Sequence, residues 1–482
     1  MNYNSQKIAI TARDGVDYPT DEACYSPSTK FEEYPFVETA GKYNGAYEMV
    51  RQTFVNLGMD AEHLGTENWN PLGEVIRPGQ TVLLKPNWVM HRNPEPKFQD
   101  MDCMVTHPSI IRAVLDYVYI ALKGAGTIIV ADSPVKECDF QQLQERMHYE
   151  SIWGYYQNKG IEIRVLDLRG FVERVVDGVE TFVENESLGV KVVLRNSSCF
   201  EELSEKQIGA LRVHTYPSKM MRASHWANHH EYIIHPEVLN ADVIINLPKP
   251  KTHKKSGLTA CAKNFVGAFC RKEQLPHHRT GSPLDGGDEY LHQSLVLRLA
   301  SWLQDRYSNS RVASPRLARL YYRLYHRIRR FGQMRAKEQY DDGAWYGNDT
   351  TWRTIVDLNR IILYADKSGV LGEQPQRKVF NICDMIVAGE GYGPLAPTPK
   401  PLGMVVMGEC IPAMDWFICH VAHLKLDMVK YIGKMLQSDN IKLSDYTVVS
   451  ETGSICPLLS YEFRDEWRFT PPCTWKGHLE AE

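Results

Sequence analysis

The sequence predicts an α/β protein: a Rossmann-like, mostly parallel sheet with helices on both faces, plus an antiparallel insertion and a basic helical insertion. Three observations carry this expectation. Short β-branched runs recur, Lys7 to Thr11, Thr81 to Leu84, Thr127 to Ala131, Ile161 to Leu166 and Val243 to Leu247, each of strand length. They alternate with stretches of helical apolar spacing. One unit, THPSIIRAVLDYVYIALKGAGTIIVADSP, puts Ile110, Val114, Tyr117 and Ala121 on one helical face, stops at Gly124 and enters a buried strand ending at Asp132.

In chain order, 1–80 reads as an N-terminal α/β segment and 81–290 as the core. Within the core, 170–215 is rich in Val, Glu and Asn and is expected to be an irregular, antiparallel insertion. A helical insertion follows over 291–350, and 351–482 completes the chain. From Arg311 to Lys337 there are nine Lys/Arg and no Asp/Glu, with Leu317, Leu320, Tyr321 and Leu324 spaced as one apolar stripe. That pattern is a basic amphipathic helix, either packed on the body through the stripe or attached to an anionic surface, lipid or partner. Thr351 to Asp366 has helical spacing and Gly403 to Gly408 reads as a buried strand. GEGYGP (Gly389 to Pro394) and the PLAPTPKP that shares its last proline read as a rigid turn.

Composition narrows the function classes. A length of 482 residues allows two to four domains. Lys+Arg 55 against Asp+Glu 59 argues against a globally basic nucleic-acid binder. Eleven scattered cysteines with no C-x-x-C write neither a zinc ribbon, an iron–sulfur cluster nor a disulfide framework. With no secretory leader and no apolar run of about 18 residues, a cytoplasmic protein is expected.

The chemistry concentrates in Asn246 to Gly281, where eight cations face the single Glu273 and three histidines join them. A strand ending at Leu247, then Ser256 as an N-cap and Gly257 opening a short helix, would gather amides and cations at one end of the sheet. On that helix Thr259 and Lys263 would share a face, aiming the Lys263 amine into a crevice with His253. A desolvated amine there can be a nucleophile, an anion ligand or a point of cofactor attachment, with His253 as proton donor or acceptor; a solvated surface loop is the plainer alternative. Lys85 and Asn87 follow a strand that Pro86 terminates, and Asp132 and Ser133 end another, so all four are expected at the crevice. Lys85 could instead form a salt bridge at its strand end.

Other candidates are less specific. His107 could be a helix cap. His225 and His229, in HWANHHEYIIHP with His230 and His235, have the four-residue spacing of two ligands on one helical face. Asp415 reads as the N-cap of its helix, and Cys261 and Cys270 flank Lys263 as small buried residues or as activated thiols. No Walker loop, G-x-G-x-x-G, G-x-S-x-G or kinase signature is present.

KPNW, the THPSII…ADSP unit, ADVIINLPKPKTHKKSGLTACAKNFVG and CDMIVAGEGYGP followed by Asp415 resemble, in order, the blocks of the DUF362 family of uncharacterised proteins, over about Thr81 to His423. The central block is also similar to that of the nickel-pincer lactate racemases. That resemblance implies His253 as general acid/base, Lys263 as covalent anchor of a nickel-pincer nucleotide, and His278 or His277 as nickel ligand. The sequence departs from the racemase pattern where Ser133 and Pro134 stand in place of a second acid/base histidine, and where Ala260, Cys261 and Ala262 replace a glycine pair.

The resulting expectation is an enzyme acting on a small anionic hydroxy compound by racemase- or epimerase-like or hydride-transfer chemistry. His253, Lys263 and Asp132 are its catalytic candidates, and Lys85, Asn87, Lys251 and Asn264 its substrate-binding ones. The alternatives are a non-catalytic anion- or partner-binding protein and, third, a metal-free transferase on a phosphorylated substrate.

Overall fold

The computed structural model describes residues 6–481 except 21, 96, 98–100, 177–178, 185–188, 215 and 312–313. The 170–215 insertion and the basic stretch from Arg311 therefore run partly through residues outside the described set, as do the two ends of the chain.

Eleven strands form the central sheet. They are β1 (Lys7–Ala12), β2 (Thr81–Pro86), β3 (Thr127–Asp132), β4 (Ile163–Asp167), β5 (Val243–Leu247), β6 (Lys251–His253), β7 (Gly257–Thr259), β8 (Lys378–Tyr392), β9 (Ala396–Gly408), β10 (Thr447–Ser450) and β11 (Ile455–Pro457). Five run parallel in the spatial order β4-β3-β2-β5-β8. Counted along the chain that is 3-2-1-4-5, the order of a doubly wound sheet, whose topological switch point falls between β2 and β5. β9 and β1 extend the sheet antiparallel beyond β8.

The strands alternate between two cores, apart from a bulge at Ile386 and Val387 in β8. Leu83, Ile129, Ile244, Cys383 and Val406 face one hydrophobic core; Val82, Leu84, Val130, Ile245, Ile382 and Val405 face another. Both faces are therefore buried, which is why these strands are near-continuously apolar. The second core is covered by α1 (Gly45–Leu57) and α2 (Pro108–Leu122). His107 caps α2 by accepting from the Ser109 N–H, with Pro108 at the first helical position. The first core is covered by α6 (Thr351–Tyr364) and α7 (Ile411–Val421). Within the insertion, Phe171–Val176 pairs antiparallel with Val179–Glu184, and Val190–Leu194 with His229–Ile234.

Three expectations are corrected. GEGYGP and PLAPTPKP are not a rigid turn but two arms of a hairpin, with Gly391 opposite Pro397 and Gly389 opposite Pro399. Pro397, Pro399 and Pro401 recur every second residue, so their nitrogens all turn to one side; β9 pairs with β1 only from Met404 onward, and an edge tolerates the missing donors. Gly257 does not open a helix: β6 and β7 form a small hairpin, and the helix, α3 (Cys261–Asn264), starts later. Finally, the basic helix α5 (Pro315–Ala336) packs through only Tyr321 of its predicted stripe. It lies on α4 (Leu295–Ser310) through Tyr325, Tyr321 and Ile328 against Ala300 and Leu303. Gly332 permits the close approach, since a Cβ there would meet Leu297 Cδ2 at 2.9 Å. Leu317, Leu320 and Leu324 are left exposed. Among the described residues no helix is long and apolar enough to cross a membrane.

Candidate active site

A cavity of about 460 Å³ opens at the carboxyl ends of β2, β3 and β5, beside the switch point, and is lined by Asn87, Asp132, Lys251, His253, Lys255, Lys263, Asn264, Lys272 and His277 among others. The volume suits a small ligand. The helix that presents Lys263 is only four residues long and cannot hold itself together. It is fastened from outside: Asp415 Oδ1 and Oδ2, in the middle of α7, accept the Cys261 and Ala262 N–H groups at 2.7 and 3.0 Å. Asp415 therefore caps α3, not its own helix, whose N-cap is Cys410.

A polar lattice ties the strand ends together beneath the cavity. Lys251 Nζ donates to Asn87 Oδ1 at 2.7 Å and to the Met104 and Lys249 carbonyls. Asn87 Nδ2 donates to Asn264 Oδ1, and Asn264 Nδ2 to Asn246 Oδ1 and the Lys85 carbonyl. Asn87, Lys251 and Asn264, expected as substrate ligands, thus line the cavity while bonding one another. Lys85 and Asp132 form a buried ion pair at 2.7 Å, and Asp132 also accepts the Trp88 and Ser133 N–H groups. The salt-bridge reading of Lys85 is the one the structure bears out, and Asp132, so occupied, holds the strand ends.

Lys263 and His253 do share one cleft. Both are buried, 8 % and 5 % exposed, and both line the cavity. Among the described residues Lys263 and Lys255 have no carboxylate oxygen within 4 Å. Burial, with Lys272 and Lys255 nearby, pushes the Lys263 amine down to about 7; burial pushes Lys255 down to about 8. A substantial fraction of Lys263 is neutral and nucleophilic near pH 7.

The two cavity imidazoles are held in opposite tautomers. His253 Nδ1 accepts the Lys255 and Ser256 N–H groups at 3.0 and 3.2 Å, so its proton sits on Nε2. His277 Nδ1 lies 2.7 Å from the Leu275 carbonyl and donates to it, which leaves Nε2 with a free lone pair. Burial, followed by the Lys263 charge, holds both well below the usual histidine range. One cavity histidine therefore presents a hydrogen-bond donor and the other an acceptor.

The sequence offered His277 and His278 as alternatives, and the structure separates them. His277 lines the cavity, whereas His278 joins Glu289 and Asp342 beside it. The remaining histidines form no helical pair: His225–Trp226 and His229–Ile234 are strands of a hairpin, His229 stacks on Trp226, and His225 bonds the Gln274 carbonyl. Cys261 and Cys270 are buried, and burial drives the Cys261 thiol far above its ordinary range, so Cys261 is not an activated thiolate. Sequence reasoning missed the capping role of Asp415, the tautomers, and Gly267, where a Cβ would meet Asp132 Oδ1 at 1.8 Å.

No curated protein and no solved structure matches the chain. Residues 82–420, which carry the switch point, the lattice and α3, match the family model described as a domain of unknown function, and the chain belongs to this family, DUF362.

Proposed function

We propose that the chain is an enzyme that takes a small hydroxy carboxylate into this cavity and acts at the hydroxyl-bearing carbon, in racemase- or epimerase-like chemistry. The observation that carries the reading is the donor and acceptor imidazoles facing one buried cavity beside lysines without carboxylate partners. Lys255, with Lys263, offers positive charge to the substrate carboxylate in a setting where water screens little. His253 Nε2–H donates to oxygen as negative charge builds there, and His277 Nε2 holds a free lone pair that takes a substrate proton when it ligates no metal.

The residues also fit a covalently attached nickel-pincer nucleotide. Lys263 is an accessible amine with a lowered pKa, and His277 Nε2 is a free imidazole ligand. With the group bound, Lys263 would carry it and His277 Nε2 would ligate the metal, leaving Lys255 to meet the substrate carboxylate and His253 Nε2–H to stabilise charge on oxygen; the group supplies a hydride acceptor. The test is chiral chromatography of a panel of 2-hydroxy acids incubated with full-length protein from its native host. Turnover is expected, with a loss of at least 100-fold in Lys263→Ala and in His277→Ala. No turnover across the panel, or full turnover in Lys263→Ala, overturns the reading.

A second reading concerns attachment. Leu295 and Trp302 on α4 and Leu317, Leu320 and Phe331 on α5 are 41–78 % exposed, next to a row of arginines, and Trp302 touches Tyr321 across the two helices. This face supports docking on an anionic bilayer surface. Sedimentation with phosphatidylserine vesicles, weaker with neutral vesicles and abolished by Leu320→Glu with Phe331→Glu, tests it; equal sedimentation of the variant overturns it.

A further inference from the structure

Beside the cavity, and not required by the chemistry above, three metal-ligating side chains converge. One ligand atom from each of His278, Glu289 and Asp342 lies within 4.8 Å of the other two. They are 2, 4 and 9 % exposed. We propose that these three residues bind a divalent transition-metal ion of the Zn²⁺ or Mn²⁺ class.

Three independent features support the site. His278 Nδ1 is buried with no hydrogen-bond partner, a state that costs free energy unless a ligand relieves it. The Glu289 carboxylate accepts from Ser301 Oγ and the Gly281 N–H, yet among the described residues no cation lies within 4 Å of it. A buried carboxylate without a counter-charge is the group a metal ion satisfies best. The third feature is pre-organisation. Asp288 accepts from the Arg279 N–H, the Asp349 N–H and Thr350 Oγ1, and the Gly343 N–H bonds the Glu289 carbonyl at 3.0 Å. These bonds lock the three donor segments together.

Gly343 is part of the design. Its φ of +73° and the 2.7 Å that would separate a Cβ there from His278 Cβ admit only glycine between His278 and Asp342. His214 Nδ1 sits 2.8 Å from Asp342 Oδ2, an outer partner that orients the carboxylate. One imidazole and two carboxylates form a borderline-hard donor set suited to Zn²⁺ or Mn²⁺. Ligand atoms on such an ion, with bonds of about 2 Å, stand roughly 3.4 Å apart, so the donors close inward by a small side-chain movement. Asp342 also lines the large cavity, which gives an ion its route in.

The proposal is independent of the hydroxy-acid reading, and its test separates the two. Metal-stripped full-length protein, titrated with Zn²⁺ by calorimetry, is expected to bind one ion per chain. Affinity should fall at least tenfold in Glu289→Gln and in Asp342→Asn while His277→Ala binds as wild type. Unchanged affinity in both carboxylate variants, or loss in His277→Ala, overturns the proposal. Should the carboxylate variants misfold, anomalous diffraction from wild-type crystals soaked in Zn²⁺ decides instead: a peak among His278, Glu289 and Asp342 supports the site, and none there refutes it.

Discussion

Two sets of lysines lie at the same end of one sheet, and they are treated oppositely. Lys85 and Lys249 are fully buried and each meets a carboxylate, Asp132 at 2.7 Å and Asp384 at 2.9 Å. Lys255 and Lys263 are nearly as buried but face the cavity, with no carboxylate within 4 Å among the described residues. Burial lowers the Lys85 amine as well, but Asp132 opposes that shift; at Lys263 the neighbouring lysine charges add to it instead. The paired lysines hold the strand ends together, whereas the unpaired ones remain costly until an anion arrives. The difference teaches that lysine count did not identify the site; the absence of partners did.

The largest effect that could break this comparison is on stability. Lys85→Ala leaves Asp132 buried without its cation and is expected to cost about 3–5 kcal/mol, read as a lowered urea midpoint. Lys263→Met removes an unpaired charge and is expected to leave the midpoint unchanged or higher. Equal destabilisation by the two would erase the distinction. Next in size is Gly267→Ala. The added methyl would press on Asp132 Oδ1 and lie 2.7 Å from Lys85 Nζ, so a loss of about 1–3 kcal/mol is expected from overpacking.

Smaller, and diagnostic of the unpaired set, is the pH dependence. Lys263 titrates near 7 when folded and near the ordinary lysine value when unfolded. Between these values the unfolded chain binds more protons, so stability rises with pH, by about 1–2 kcal/mol from pH 7 to pH 9. Lys263→Met should flatten that slope, measured by urea titrations across the range; a slope that survives the substitution assigns it elsewhere.

Much of this architecture was legible in the sequence. The β-branched runs located four of the five parallel strands, and Pro86 and the strand end at Leu247 marked ends that meet at the switch point, so His253 and Lys263 were expected in one crevice. Local pattern failed where meaning depends on context. The four-residue spacing of His225 and His229 signifies a shared face only in a helix, and they lie in a hairpin. The proline-rich run reads as a turn unless one knows it occupies a sheet edge. The Asp415 cap links residues 154 positions apart, and the histidine tautomers depend on which backbone groups approach each ring. No periodicity encodes either.

The last effect, a ligand effect, tests what the unpaired lysines are for. If their charge is relieved by a bound carboxylate, a small dicarboxylate such as malonate should stabilise the folded protein through simple linkage, by under about 3 kcal/mol at 100 times its dissociation constant. The dependence on pH then carries the argument. At pH 6.5 Lys255 is protonated and Lys263 largely so, and the anion meets two charges; at pH 9 both are mostly neutral, and little attraction remains. Thermal melts with and without malonate should therefore show a shift of a few degrees at the lower pH that shrinks severalfold at the higher, and Lys263→Met should lose most of it. Lys85→Met, if it folds, should keep the shift, because the Lys85 charge is already matched by Asp132. A malonate shift that disappears with Lys85 but persists without Lys263 would reverse the assignment of the two sets.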